Sequence, residues 1–163
     1  GAHLAIEASK RAGVPLVLAG TVDNHNERMQ AYFHEQIKPH LNDQHIRYHG
    51  PADMQSKIQL FRKACGFLNP IEWEEPFGMV MIESMAAGCP VISFARGAAP
   101  ELIKDGQCGF LVQNVTEMVA AMQRIDTIQR DAVAKYAQEN FSLNIMANKY
   151  IALYNKACHV HNK

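Results

Sequence analysis

Trp73-Glu74-Glu75-Pro76-Phe77-Gly78-Met79-Val80-Met81-Ile82-Glu83-Ser84-Met85-Ala86-Ala87-Gly88-Cys89-Pro90-Val91-Ile92 reads as a loop, a helix, a short turn and the opening of a strand. Pro76 suits the first turn of a helix, where its missing N–H costs nothing. Gly88 stops the helix just past its C-terminus, and Pro90 cannot continue it. Val91 and Ile92 begin a β-branched run. Glu75 stands at the helix mouth and Glu83 two turns inside. Gly78, where the helix begins, lets backbone N–H groups face a ligand, and the positive end of the helix favours an anion there.

Upstream of this stretch, Gly66 to Pro70 reads as a strand and Asp53 as the start of a helix that buries Ile58, Leu60, Phe61 and Ala64. His45 to His49 is a short strand. Before it, Asp23 or Asn24 caps a helix that runs to about Ile37 and is broken by Pro39. Pro15-Leu16-Val17-Leu18-Ala19-Gly20 is a continuous apolar run, the mark of a strand buried on both faces of a parallel sheet. Ala2 to Ala12 has helical spacing and is closed by Gly13.

Downstream, Val91 to Phe94 and Gly109 to Val112 are strands, separated by a small-residue loop, a short helical turn led by Glu101 and a Lys104-Asp105-Gly106 turn. From about residue 115 the pattern is helical: Thr116 to Ile125, Arg130 to Gln138, and Ser142 to Ala157, with Ser142 a candidate cap and a frayed tail from His159. Strands alternating with helices imply an α/β fold with a doubly wound parallel sheet. The series starts with a helix, so the expected first strand is missing. No repeat, low-complexity segment or linker interrupts it.

At 163 residues the chain is one domain, or one domain with a tail, the helical stretch from about residue 115. Basic and acidic residues balance at 16 each, so no whole-chain field points to nucleic acid or an anionic membrane. No apolar run approaches the roughly 20 residues of a membrane span. The four cysteines form no C-x-x-C and sit in apolar or helical settings, which reads as free buried thiols in a reducing compartment. No Asp-x-Asp motif occurs, and no metal is expected; His159 and His161 beside Cys158 are a weak candidate cluster. Neither a nucleophile elbow nor a Walker loop is present.

Glu75 to Ile92 resembles the signature of retaining glycosyltransferases of family 4. So does Gly97-Ala98-Ala99-Pro100-Glu101-Leu102-Ile103-Lys104-Asp105-Gly106-Gln107-Cys108-Gly109-Phe110-Leu111-Val112, and Gly1 to Ala8 resembles the first helix of the same domain. The resemblance implies the two-lobed GT-B architecture, with this chain as the C-terminal, donor-binding, Rossmann-like half. It implies a nucleotide-diphosphate sugar as co-substrate, with a UDP-sugar favoured, and no metal. The first strand and the loop that carries the family's diphosphate-neutralising Arg and Lys would precede Gly1. The chain is therefore expected to need an N-terminal half as partner and to be inactive alone. The expected location is the cytoplasm, with membrane association open through that other half.

The same resemblance assigns Glu83 to the nucleotide ribose and Glu75 to the transferred sugar, without a covalent nucleophile. The backbone N–H groups of Phe77, Gly78, Met79 and Val80 are the expected donors to leaving-group and hydroxyl oxygens. Physical reading agrees in part. Helical side chains lean toward the N-terminus, so the Glu83 carboxylate reaches back toward the mouth. Val80, Met81, Ile82, Met85 and Ala86 predict a helix buried nearly all round, where an unpartnered carboxylate is costly. Glu75 serves equally well as an ordinary helix-dipole residue, Glu72 and Glu74 as solvated side chains, and Arg96 as a phosphate contact or a plain loop residue. Two other functions remain open: a nucleotide-binding module or partner subunit without catalysis, and an epimerase of the same architecture, which fits the Glu75–Glu83 spacing less well.

Overall fold

The computed structural model describes residues 1–42 and 44–161, with side chains as far as Cys158. The side chains of the His159–His161 candidate cluster lie outside the described residues. In chain order the elements are α1 (Ala2–Ala12), β1 (Leu16–Ala19), α2 (Glu27–Tyr32), β2 (Ile46–Gly50), α3 (Met54–Lys63), β3 (Phe67–Asn69), α4 (Met79–Ala86), β4 (Val91–Phe94), α5 (Ala99–Leu102), β5 (Gly109–Val112), α6 (Val115–Met122), α7 (Arg130–Phe141) and α8 (Leu143–His161). The expected α/β alternation is present, and every strand pair is parallel.

The strands form two pieces rather than one continuous sheet: β1 pairs with β2, and β3, β4 and β5 pair in that order. Leu16 is opposite Ile46 in the first piece, and Phe67, Val91 and Gly109 line up across the second. No ladder joins β1 to β3. This corrects the expectation that Pro15 to Gly20 is buried on both faces. β1 alternates between half-buried and exposed: Leu16 and Leu18 pack on the small core, whereas Val17, 38% exposed, and Ala19 lie on the opposite face, which that core does not cover.

Two cores follow the same division. The larger one packs β4, β5, α4, α6 and α7 around Met81, Met85, Val91, Ile92, Met118 and Val133. The smaller one gathers Ile6, Ile37 and Ile46 under β1 and β2. α1 serves both, giving Ile6 to the small core and Ala8 to the large one. Arg130 ties α7 to the C-terminal end of α3: its guanidinium donates to the carbonyls of Ala64 (2.6 Å), Phe61 (3.1 Å) and Arg62 (3.2 Å). A cation suits that end of the helix dipole.

Several local expectations shift. Asn26, rather than Asp23 or Asn24, caps α2, accepting the Met29 N–H at 3.1 Å. Asp23 instead closes the preceding turn by accepting the His25 N–H. The helix does run to Ile37, continuing past α2 as a π-helical segment from Phe33 to Ile37, and Pro39 then sits within a 3₁₀ turn from Lys38 to His40, where its fixed φ is tolerated. Asp53 does cap α3, and the Ser56 N–H it accepts at 2.7 Å holds its carboxyl below the usual carboxylate range. Only two of the four cysteines are buried. Cys65 and Cys158 are exposed, whereas burial pushes the Cys89 and Cys108 thiols up. The last helix continues to His161, and no described helix is long and apolar enough to cross a membrane.

Candidate functional site

The chain winds outward from β1 to β2 in one direction and from β3 through β5 in the other. In open parallel α/β sheets, ligands settle outside the C-terminal ends of the strands where the winding reverses. That reversal lies between β1 and β3. A cavity of about 910 Å³ occupies the space, with Leu16, Leu18, Leu60 and Leu68 among its apolar walls. Its rim at the strand C-termini is built from Gly20, Thr21, Pro51, Ala52, Asn69 and Pro70, joined by Lys57 from α3 and Val80 from α4. A smaller crevice of about 350 Å³ opens beside Arg96 and Asn114, past the ends of β4 and β5.

α4 reaches the rim through a loop that differs from the expected one. The helix starts at Met79, three residues after Pro76, and Gly78 is its N-terminal flank with φ +79°. Glu75 sets this up. Its carboxylate accepts the Gly78 N–H at 3.2 Å, closing a loop over residues 75–78, and the left-handed glycine then turns the chain into the helix. Pro76 and Phe77 are therefore loop residues. Of the four expected backbone donors, Gly78 is committed to Glu75. The N–H groups of Phe77, Met79 and Val80 have no acceptor among the described residues.

The helix is also less enclosed than the sequence suggests. Met81, Ser84 and Met85 are buried, but Phe77, Met79 and Val80 are 49%, 59% and 36% exposed. These three apolar side chains crowd the helix mouth beside its free N–H groups. Glu83 lies one turn further along the Met79–Val80 face and is not unpartnered. Its Oε2 is 2.6 Å from Lys57 Nζ, and both side chains are about a quarter exposed. Sequence reasoning missed Lys57. The partner is on a different helix, and the only local sign was its place in the first turn after the Asp53 cap, facing the strand ends.

The loop after β4 is fastened to the backbone of the Glu75 segment. Ala98 N–H donates to the Glu75 carbonyl at 2.8 Å, and Gly97 N–H donates to Glu74 Oε2 at 2.7 Å. Arg96 donates to the Glu72 carbonyl and pairs with Glu74 at 3.5 Å. Arg96 thus braces the loop, and Glu74, although largely exposed, has a structural partner on each side. Beneath, Asn69 at the end of β3 donates through Nδ2 to buried Ser93 Oγ at 3.1 Å and contacts Met81 Sδ at 3.4 Å, fixing β3, β4 and α4 to one another. No group of three or more His, Cys, Asp or Glu gathers in metal-binding proximity among the described residues.

Known proteins are similar to this chain in sequence and in fold. The family model described as Glycosyl transferases group 1 matches residues 1–142. The D-inositol 3-phosphate glycosyltransferase of Streptomyces scabiei (strain 87.22) is 32% identical over 127 residues, covering 72% of this chain and 28% of that protein. The chain spans about a third of the length of the curated relatives it matches. Among solved structures, the sucrose-phosphate synthase from Thermosynechococcus elongatus superposes with a TM-score of 0.78 at 24% identity, over 98% of this chain and 43% of that one. Anabaena Alr3699/HepE, solved in complex with UDP-glucose, superposes with a TM-score of 0.73 at 22% identity, over 96% of this chain and 45% of that one. These matches show the α/β fold of GT-B glycosyltransferases, and by the family model this chain belongs to the glycosyl transferases group 1 family.

Proposed function

We propose that this chain is the donor-binding half of a retaining glycosyltransferase that moves a sugar from a nucleotide-diphosphate sugar to an acceptor. One observation carries the reading: a fixed, partly exposed carboxylate, Glu83, is paired with Lys57, which lines the crevice where the sheet reverses, and follows by one turn the uncommitted backbone N–H groups at the mouth of its helix. A carboxylate accepts hydroxyl hydrogens from a ribose, and free N–H groups at a helix mouth receive phosphate or leaving-group oxygens.

In this reading the N–H groups of Phe77, Met79 and Val80 stabilise charge as it builds on the departing diphosphate, the kind of preorganised donor set that lowers such barriers. Glu75 lies beside the transferred sugar and supports an oxocarbenium-like transition state electrostatically rather than as a covalent nucleophile. The present engagement of Glu75 with Gly78 N–H favours, for this chain by itself, a binding module that becomes catalytic only as part of a larger enzyme. The UDP and UDP-glucose complexes of HepE make UDP the first donor nucleotide to try. The proposed transfer uses no metal, and a hexosyl group is the proposed cargo.

Calorimetric titration with UDP, GDP and ADP tests the proposal. Weak saturable binding is expected, with UDP preferred. Glu83→Gln should weaken it about tenfold or more, since hydrogen bonds to a charged group are worth about 1.5–3 kcal/mol. Undiminished binding by that variant would remove the ribose role of Glu83.

A further inference from the structure

We propose that Lys57 is a second ligand-contacting residue of this site, and that with Glu83 it forms a paired donor and acceptor that selects a vicinal diol, so that Lys57 sets a preference for ribose over deoxyribose. The proposal rests on the donor-site reading of Glu83 given above.

The ion pair is held from both sides. α4 carries Glu83, and α3 carries Lys57 one turn after its Asp53 cap, with Lys57 N–H donating to the Asp53 carbonyl at 2.9 Å. At 2.6 Å the pair uses one of the three hydrogens on the Lys57 ammonium and one oxygen of the carboxylate. Two N–H donors and Glu83 Oε1 are left over. Each side chain is about a quarter exposed, and Lys57 lines the cavity together with Val80, which precedes Glu83 by one helical turn. Lys57 thus carries its unused donors at the rim of the crevice, and the ion pair holds Glu83 beside it.

A partly exposed ion pair contributes little to stability, so its placement here is poorly accounted for by folding alone. It matches two adjacent hydroxyls on one face of a ring. One hydroxyl donates to Glu83 Oε1. Its neighbour donates to the shared Oε2 and accepts from the Lys57 ammonium. Removing the second hydroxyl leaves the ammonium without that partner, and sites built to bond a hydroxyl reject ligands that lack it.

Titration of the unmodified chain and of Lys57→Met and Lys57→Arg with UDP and 2′-deoxy-UDP tests this. The unmodified chain should bind UDP about tenfold tighter than 2′-deoxy-UDP, one charge-assisted hydrogen bond's worth. Lys57→Met should lose affinity for UDP but not for the deoxynucleotide, so that the preference falls to near one, and Lys57→Arg should restore part of it. Its melting temperature should be close to that of the unmodified chain. If Lys57→Met does not fold, Lys57→Gln, whose amide is neutral, reads the same ratio. An unmodified chain that binds both nucleotides equally, or a Lys57 variant that keeps the full preference, overturns the role of Lys57 and leaves the donor-site reading standing. An unmodified chain that binds neither nucleotide up to millimolar concentration overturns both.

Discussion

Gly97→Val should destabilise the protein by about 3 kcal/mol and detach the loop after β4 from the Glu75 segment. Gly97 has φ +54°, a conformation that costs a side-chain-bearing residue about 1–2 kcal/mol. A Cβ placed there would also stand 2.5 Å from both the nitrogen and the oxygen of Glu75, which are backbone atoms with no freedom to rotate away. Overpacking of this kind adds about 1–3 kcal/mol. Gly106 supplies the control: its φ is +74°, but a Cβ there meets nothing within 4 Å, so Gly106→Ala should cost only the conformational share. Urea unfolding of both variants measures the difference at the midpoint. Equal losses would mean that the approach of Gly97 to Glu75 is not what the fold depends on. Since the Ala98–Glu75 bond crosses the same contact, the Gly97 variant should also bind nucleotide less well than its residual stability would suggest.

The second large effect is expected at Met81. Its side chain is fully buried beneath the loop that begins α4, and any Cβ on Gly78 would strike its terminal methyl. Truncating Met81 to alanine removes that support and leaves a cavity; such changes cost about 2–5 kcal/mol. In a chain of this size a loss of 3 kcal/mol lowers the melting temperature by about 6–12 °C. Met81→Leu, which conserves volume, should cost under about 1.5 kcal/mol. Calorimetric melting separates the two, and a loss under 1 kcal/mol for the alanine variant would show that the loop above collapses to fill the space.

What was readable in advance depended on how local the physics was. Short runs bounded by glycine or proline located the five described strands, and the caps at Asp53 and Gly13 marked helix ends because each acts within a turn of its own position. The start of α4 was misplaced. Pro76 is a sound first-turn residue in isolation, but the Glu75 carboxylate and the left-handed Gly78 settle a loop that propensity does not describe. Three side chains within four residues, Asp23, Asn24 and Asn26, are all competent caps, and only the placement of the Met29 N–H selects among them. The ion pair between Lys57 and Glu83 joins residues on different helices; no periodicity records it. Likewise the half-exposed state of β1 follows from which of its faces another element covers, and composition alone cannot supply that.

The division of the strands into two ladders, bridged chiefly by α1, bears on how the molecule opens. Each ladder has its own core, and that of β1 and β2 is much the smaller. Regions with few buried contacts open at lower free energy than the rest of a domain. Amide hydrogen exchange should therefore show Val17 to Ala19 exchanging through a low-energy opening that leaves Val91 to Phe94 protected. A ligand seated across the reversal would touch Gly20 and Pro51 on the weaker side and Lys57 and Val80 on the other, and so would slow exchange in β1 and β2 although it leaves the ladder itself unchanged. Matching protection in both ladders without ligand would instead mean that α1 makes the two a single cooperative unit.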